Sequence, residues 1–551
     1  MNYRKNLFIA KIGFLVVIIV SVIAVRWLFL PGFLPTHDGE YHLIRFYEFG
    51  RMLAAGHLFP RWAPGLNSGY GVPLFTFFYP LPNYIGSFVH SMGWSLADSF
   101  RLTMAAGYIL AIAASYVWLK RLYGIFPAVL GSVMGAFVPY WFVDIFVRGS
   151  VGEVLALGFV FSALASIAYK RRTLLALAIA GIILSHNIIA MIFLPVLLLY
   201  TLMTDRSMLR WVCVGVILTS YFWVPALLER PYVVGLNTVN FRDHFPELAQ
   251  LLIPSWGTGF SGPGFTLDEM SYQVGAIPLF VLLSFFALQL TRMSFPRTRE
   301  SRVKTGSPIR SGMTDSYPLV LFMVAAGVAF FLMLEISIPV WERIPLLFNI
   351  QYPWRLLSVG IVATPFLTAA MLSRIRWPFV SIGVALCAVF VSYAYTKPVL
   401  YDVRPDEYYL SRREFTDGTS SLGNGFSTVW MPWRPERPEA RMEIISGVGL
   451  VTMKEEGVTT FTGEVVSSSG GVLRTRVAYY PGWRVLVDGK DVNATPDGQG
   501  MISTTFSSGT HLITTYFSET PLRLIADGIS MLCLFWLFCS IILKKHYENS
   551  N

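Results

Sequence analysis

The chain has 551 residues, 54% of them hydrophobic and 14% charged, with a formal charge of +10. That composition excludes an ordinary soluble enzyme and defines a polytopic α-helical membrane protein. The positive charge does not make nucleic acid a partner, because Lys and Arg gather in short loops between apolar runs, where the positive-inside rule puts them.

The first run, LFIAKIGFLVVIIVSVIAVRWLFL, is longer than the apolar region of a signal peptide. No small-residue cleavage site follows it, so it reads as an uncleaved first span. Further spans are expected near 99–118, 125–145, 152–168, 173–186, 188–204, 211–228, 273–291, 317–334, 355–373, 377–395 and 521–543. With 7–30 these make about twelve, each long enough or nearly so to cross the hydrocarbon core. Arg4–Lys5, Lys120–Arg121, Lys170–Arg172, Arg206 with Arg210, the loop RTRESRVKTGSPIR, Arg374 with Arg376, and Lys544–Lys545 then share one side. That side is the cytoplasm, and both termini lie on it. Counting GVPLFTFFYPLPNYIGSFVH (71–90) as a span would invert every later loop. It is therefore expected to be interfacial or re-entrant, packed on protein. Cys213, Cys387, Cys533 and Cys539 sit inside apolar runs and read as core residues, with no zinc or disulfide framework.

This topology gives three parts. Residues 1–395 form a transmembrane module with outer loops 31–98, 229–272 and 335–354. Residues 396–520 form an extracytoplasmic β-rich domain, signalled by alternating stretches such as GVLRTRVAYY and THLITTYF between the turns DGK and PDGQG. Alternation puts Trp483 in its core, on the side of Val485 and Val487. Residues 521–551 return the chain through a last span to a cytoplasmic tail. The chain is thus expected in the cytoplasmic membrane of a bacterium.

Chemistry gathers at the outer ends of the spans. In PTHDGEYHLIRFYEFG (35–50), a helix starting near Thr36 or Asp38 would align Asp38, His42 and Arg45 on one face. Glu40 would join Asp38 only if the segment were extended. Asp38 is a candidate base, with Glu40 the second acid, and a divalent cation on Asp38 is an open alternative. The bland alternative is a solvated interfacial helix. His37 and His42 make a poor zinc pair, since H-x4-H lacks further ligands. In PYWFVDIFVRGSVGEVLA (139–156), Asp144, Arg148 and Glu153 stand at the turn between two spans. Intramembrane ionisable residues face a partner or a cavity, so either a structural Arg148 ion pair or a substrate site fits. His186 in LSHN interrupts apolar sequence. Gln351 and Arg355 lie in QYPWRLLS, where Arg355 is either a snorkelling anchor or a phosphate clamp. Trp256, in PSWG, belongs to a loop that would roof a cavity. No P-loop motif occurs, and an outward site would need a donor carried by lipid.

A first span followed by a large outer loop bearing THDGEYH resembles the type C glycosyltransferases (GT-C). In that superfamily an acidic residue early in the first outer loop is catalytic or metal-binding, and the matching positions are Asp38 and Glu40. HDGEYHLIR, PRWAPGLNSGYGVPLFTFFYPLP, VRGSVGE, LSHN, PSWG and QYPWRLL look like the bacterial membrane proteins named 6-pyruvoyl-tetrahydropterin synthase-related, over most of 30–430. YYPGWRVLVDGK followed by SSGTHLI looks like the outer β domain of a related family implicated in envelope glycosylation. Tetrahydropterin synthases use a histidine cluster that is missing here, so neither pterin nor zinc is expected. The resemblance implies a sugar moved from a polyprenyl-phosphate donor to an envelope glycan or lipid acceptor. Asp38 would activate the acceptor, Arg148 and Arg355 would hold the donor phosphate, and His186 would line the same shell. The rivals are a flippase of lipid-linked saccharide and a non-catalytic envelope-assembly scaffold.

Overall fold

The computed structural model describes residues 2–235, 239–260, 270–284, 316–375, 378–398, 401–434 and 436–550. The basic loop 297–310, Arg376 and parts of the expected span 273–291 and loop 229–272 lie outside them. The chain is mostly helical, with several apolar helices and an antiparallel sheet near the C-terminus. Every expected span is helical where it is described. Among the described residues, six helices are long and apolar enough to cross a membrane, or up to nine if each of three bent pairs is one span. Shorter apolar helices cover Arg172–Ser185 and Ser381–Tyr395. The stretch 71–90 forms two short helices, Leu74–Phe77 and Leu81–Ser91. Neither approaches the roughly 20 residues that a span needs, because the prolines at 80 and 82 break the run.

The chain divides into two compact units. The first holds residues 1–39, 101–216 and 240–402. Its helices meet through small residues. A Cβ added to Gly107 would lie 2.9 Å from Leu155 Cα, and one on Gly158 would lie 2.8 Å from Gly107 O. Helices Leu96–Tyr123 and Val151–Ala168 thus approach backbone to backbone, the usual basis of helix association in lipid. Trp118 ties further elements together. Its ring stacks on Phe366 at 5.1 Å, and its indole N–H donates to Tyr200 Oη at 3.1 Å. The N-terminal helix leaves Leu7, Phe8, Ile12 and Leu15 exposed, as a lipid-facing surface would.

The second unit holds residues 40–100, 217–239 and 403–551. Seven strands lie between Met442 and Phe517: β1 Met442–Glu456, β2 Thr460–Ala478, β3 Trp483–Val487, β4 Lys490–Val492, β5 Thr495–Pro496, β6 Met501–Phe506 and β7 Gly509–Phe517. The order is β4-β3-β7-β2-β6-β5, with β1 also paired to β2. The 19-residue β2 is the spine, bonded to β7 along its first half and to β6 along its second. Trp483 is buried, as its alternation requires, against Trp62, Phe461 and Phe517. The last helix, Pro521–Ser550, follows directly.

Candidate functional site

The site belongs to the first unit and is built mainly from one stretch of sequence. Helix Pro139–Val143 runs into a π-helical turn, Asp144–Arg148, which Gly149 ends at φ +69°. Tyr140, Asp144 and Arg148 follow one another at four-residue spacing and so share a face. Arg148 Nη1 donates to Tyr140 Oη at 3.0 Å, to Glu153 Oε2 at 2.7 Å and to Asp144 Oδ1. The Tyr140 hydroxyl in turn donates to Glu153 Oε1 at 3.0 Å. All four side chains are buried. The two carboxylates meet the requirement that a buried charge be paired and hydrogen-bonded. Arg148 is therefore paired with both Asp144 and Glu153.

A second arginine stands beside this cluster. Arg355 lies in a 3-10 turn, Pro353–Leu356, at the start of helix Leu357–Leu372. It donates to Ile350 O and to Gln351 Oε1, each at 2.9 Å. Gln351 takes φ +66°, a left-handed conformation that a side chain adopts at a cost. Trp354 lies between the arginines, 4.7 Å from Arg148 Cζ and 5.9 Å from Arg355 Cζ, both within cation–π range. Buried Arg355 Nε, Trp354 Nε1, Ser358 Oγ and Asp144 Oδ2 have no hydrogen-bond partner among the described residues. Four such atoms around one cluster mark a place where water or a polar ligand belongs.

Asp38 reaches this cluster through the backbone. His37 N–H donates to Val147 O at 3.0 Å and Asp38 N–H to Arg148 O at 2.9 Å. Gly149 permits the approach, since a Cβ there would lie 2.2 Å from Thr36 Oγ1. The Asp38 side chain is half-buried. Its charge helps raise the Tyr352 hydroxyl above its ordinary pKa, behind the larger effect of burial and against Arg355. Beyond the arginines, a cleft of about 430 Å3 runs between helices of the same unit. Val138, Leu282, Phe330, Met333 and Leu367 line it, and Tyr140 stands in its wall.

The other expected residues fall differently. The helix starts at Gly39, with Thr36 Oγ1 accepting from Gly39 N–H at 3.1 Å. Asp38 is therefore ahead of the helix, and the expected shared face of Asp38, His42 and Arg45 loses its first member. Glu40, His42 and Arg45 belong to the second unit. There His42 is buried among Phe46, Phe78 and Phe100, and Arg45 bonds Ser420 while its guanidinium lies 4.0 Å over Phe78. These two hold the second unit together. His186 is the exception: it is buried within electrostatic reach of Glu153, Arg355 and Arg148, and it also accepts from Ile189 N–H at 3.2 Å, capping helix Asn187–Thr204. Trp256 packs against Tyr395, ring centroids 5.2 Å apart and planes tilted by 39°. Arg148 Nη1 is committed to protein acceptors, which is the structural ion pair that the sequence allowed as one of two outcomes. Tyr140 was missed, although its spacing to Asp144 and Arg148 was available in the sequence. No group of three or more His, Cys, Asp or Glu among the described residues could hold a metal ion. The donor set does not suit one, because Asp144 and Glu153 turn toward Arg148.

No family model and no curated protein matches the chain. Solved structures do. One is ArnT from Cupriavidus metallidurans bound to undecaprenyl phosphate, 16% identical over 69% of this chain and 62% of that one, TM-score 0.39. Another is the Archaeoglobus fulgidus oligosaccharyltransferase tethered to an acceptor peptide containing the NVT sequon, 14% identical over 71% and 55%, TM-score 0.39. The same enzyme in complex with zinc and sulfate gives 14% over 70% and 52%, TM-score 0.37. The chain thus matches between about half and just under two-thirds of the length of these proteins. All three likenesses are distant, with identities and scores too low to bear on activity.

Proposed function

We propose that the protein is a membrane glycosyltransferase of type C that uses a polyprenyl-phosphate-linked sugar to modify an envelope acceptor on the outer face. One observation carries this reading. Tyr140 stands in the wall of an aliphatic cleft and bonds Arg148 and Glu153 with its hydroxyl. A lipid chain fits the cleft because its lining offers little for a polar ligand to bond. A headgroup at the end of that chain would meet the arginines.

Arg355 would then hold the donor phosphate, since a guanidinium suits phosphate oxygens. Arg148, fixed by its carboxylates, would add positive potential without moving. The Asp38 carboxylate would take the proton from the acceptor hydroxyl. The hydroxyl oxygen would bond to the anomeric carbon as the carbon–oxygen bond to the phosphate breaks. The bonding electrons would leave on the lipid phosphate, where Arg355 stabilises the charge.

Asp38→Asn tests the assignment. Asn keeps the size but cannot take up the proton. Transfer should fall by about 10²–10⁴-fold, with expression and membrane insertion unchanged, as read from envelope glycans of cells carrying the variant. Full glycosylation by Asp38→Asn would remove the catalytic role. Glu40→Gln should cost less, because Glu40 lies in the first helical turn and Asp38 precedes it.

A further inference from the structure

The second unit contains a polar pocket that the proposed transfer site does not use. Its volume is about 410 Å3, within the roughly 300–1,000 Å3 of small-molecule sites. Trp62, Tyr70 and Phe461 give it aromatic walls, and Arg51, Arg441 and Glu456 give it polar ones. The loop that carries Trp62 and Tyr70 is held open by its own geometry. Glu48 Oε2 accepts from Gly65 N–H at 2.7 Å, and a Cβ at Gly65 would lie 2.5 Å from Glu48 Oε1.

The polar groups are arranged in two neutral pairs. Arg51 Nη1 meets Glu48 Oε1 at 3.0 Å, and Arg441 Nε meets Glu456 Oε1 at 3.1 Å. Arg441 is fixed further. It donates to Gly69 O and Arg476 O, each at 3.0 Å, and lies 5.0 Å over the Phe461 ring. Arg51 and Glu456 are the more exposed members, with side chains 35% and 55% exposed. The chemistry of the ligand follows. Arginine only donates and glutamate only accepts. A ligand that bonds both must donate and accept from neighbouring atoms, as vicinal hydroxyls do. The local neutrality gives no preference for a phosphate or carboxylate. The rings of Trp62, Tyr70 and Phe461 are almost wholly buried behind these polar groups, so hydrogen bonds hold the ligand.

We infer that this pocket binds an uncharged saccharide unit, independently of whether the chain transfers sugar. The experiment is calorimetric titration of the full-length protein in detergent. The probe is the oligosaccharide fraction released by mild acid from the host envelope, with inorganic phosphate as the anion arm. Saturable saccharide binding is expected, weakened at least tenfold by Arg51→Ala and by Glu456→Gln and undisturbed by phosphate. Glu456→Gln, at a side chain 55% exposed, should melt like the parent and carries the test on its own if Arg51→Ala, which takes the cation from buried Glu48, lowers the melting temperature. Asp38→Asn should bind like the parent, which separates this pocket from the transfer site. No saturable binding, binding indifferent to both variants, or displacement by phosphate would each overturn the inference.

Discussion

In the second unit, Arg523 meets Glu229 through two parallel hydrogen bonds of 2.9 Å, and Tyr480 Oη donates to the same carboxylate at 2.6 Å. Nearby, Arg61 bonds Asp527 at 2.6 Å and Tyr221 O at 2.7 Å. In the first unit, Arg148 is also buried among carboxylates and a tyrosine, but the partners of its side-chain hydrogen bonds all lie between Tyr140 and Glu153. The first arrangement joins residues hundreds of positions apart. It fastens the last helix to the sheet and to the end of helix Ser220–Leu228. The second joins side chains within one helical bend, and reaches distant residues only through the Asp38 N–H on Arg148 O and the Trp354 ring against the Arg148 guanidinium. Both bury charge at a desolvation cost. Only a tertiary staple returns that cost as global stability, so the local cluster needs another reason to exist. Its position beside Arg355 and at the wall of an aliphatic cleft supplies one.

The largest expected effect breaks the staple. Arg523→Met leaves Glu229 buried without its cation and should destabilise the protein by about 3–5 kcal/mol. Adding Glu229→Leu should restore most of that loss, because a matched apolar pair needs no desolvation. Thermal unfolding of the purified protein checks both. The corresponding set in the first unit, Arg148→Met with Glu153→Gln and Asp144→Asn, leaves no buried carboxylate without its cation and should separate the two readings. If the cluster serves the donor, folding recovers and envelope glycosylation does not. Recovery of both would make the cluster structural.

Tyr140→Phe sharpens the same comparison with a smaller change. It removes the hydroxyl that bonds Arg148 and Glu153 but keeps the ring in the cleft wall. Loss of buried hydrogen bonds should cost about 1–3 kcal/mol. A donor-holding role predicts that transfer falls further than this stability loss explains. Apparent affinity for a short-chain lipid donor should stay nearly constant, since the apolar wall is intact. An unchanged transfer rate would remove Tyr140 from the site.

The contrast between local and distant contacts also decides what the sequence disclosed. The Tyr140–Asp144–Arg148 face is written at helical spacing, and Glu153 follows one turn beyond Gly149. Alternation placed Trp483, and hydropathy placed the spans, because both signals repeat along the chain. The roles of Arg45 and Arg61 were hidden. Their partners, Ser420 and Asp527, lie 375 and 466 residues away, and no local pattern specifies such a pairing. His42 misled for a related reason. A lone polar residue next to a charged motif reads as chemistry until its aromatic neighbours are known.

The smallest expected effect lies in two histidines of the second unit that should respond to pH with opposite signs. His57 Nε2 shares a hydrogen bond of 2.8 Å with Thr459 Oγ1, and burial lowers its pKa below 6.5 against the opposing pull of Glu519. The unfolded chain therefore binds a proton more readily at this position. Its contribution is present above pH 6.5 and is lost as pH falls toward the folded value. His511 is held by Asp488 at 2.7 Å, and that hydrogen bond raises its pKa above 6.5. Its contribution is complete below pH 6.5 and disappears as pH rises through the folded value. Asp488, lowered by the same bond, would withdraw its share only in acid below its ordinary range. In the parent the two slopes oppose each other near neutrality, so the melting temperature should vary little between pH 6 and 7 on this account. His57→Gln should flatten the acid side by less than about 3 °C in melting temperature, the scale of a sub-kcal/mol change in a chain this large. His511→Asn should flatten the alkaline side and leave the acid side as it was. A parent-like pH profile in both variants would show that neither histidine couples folding to protonation.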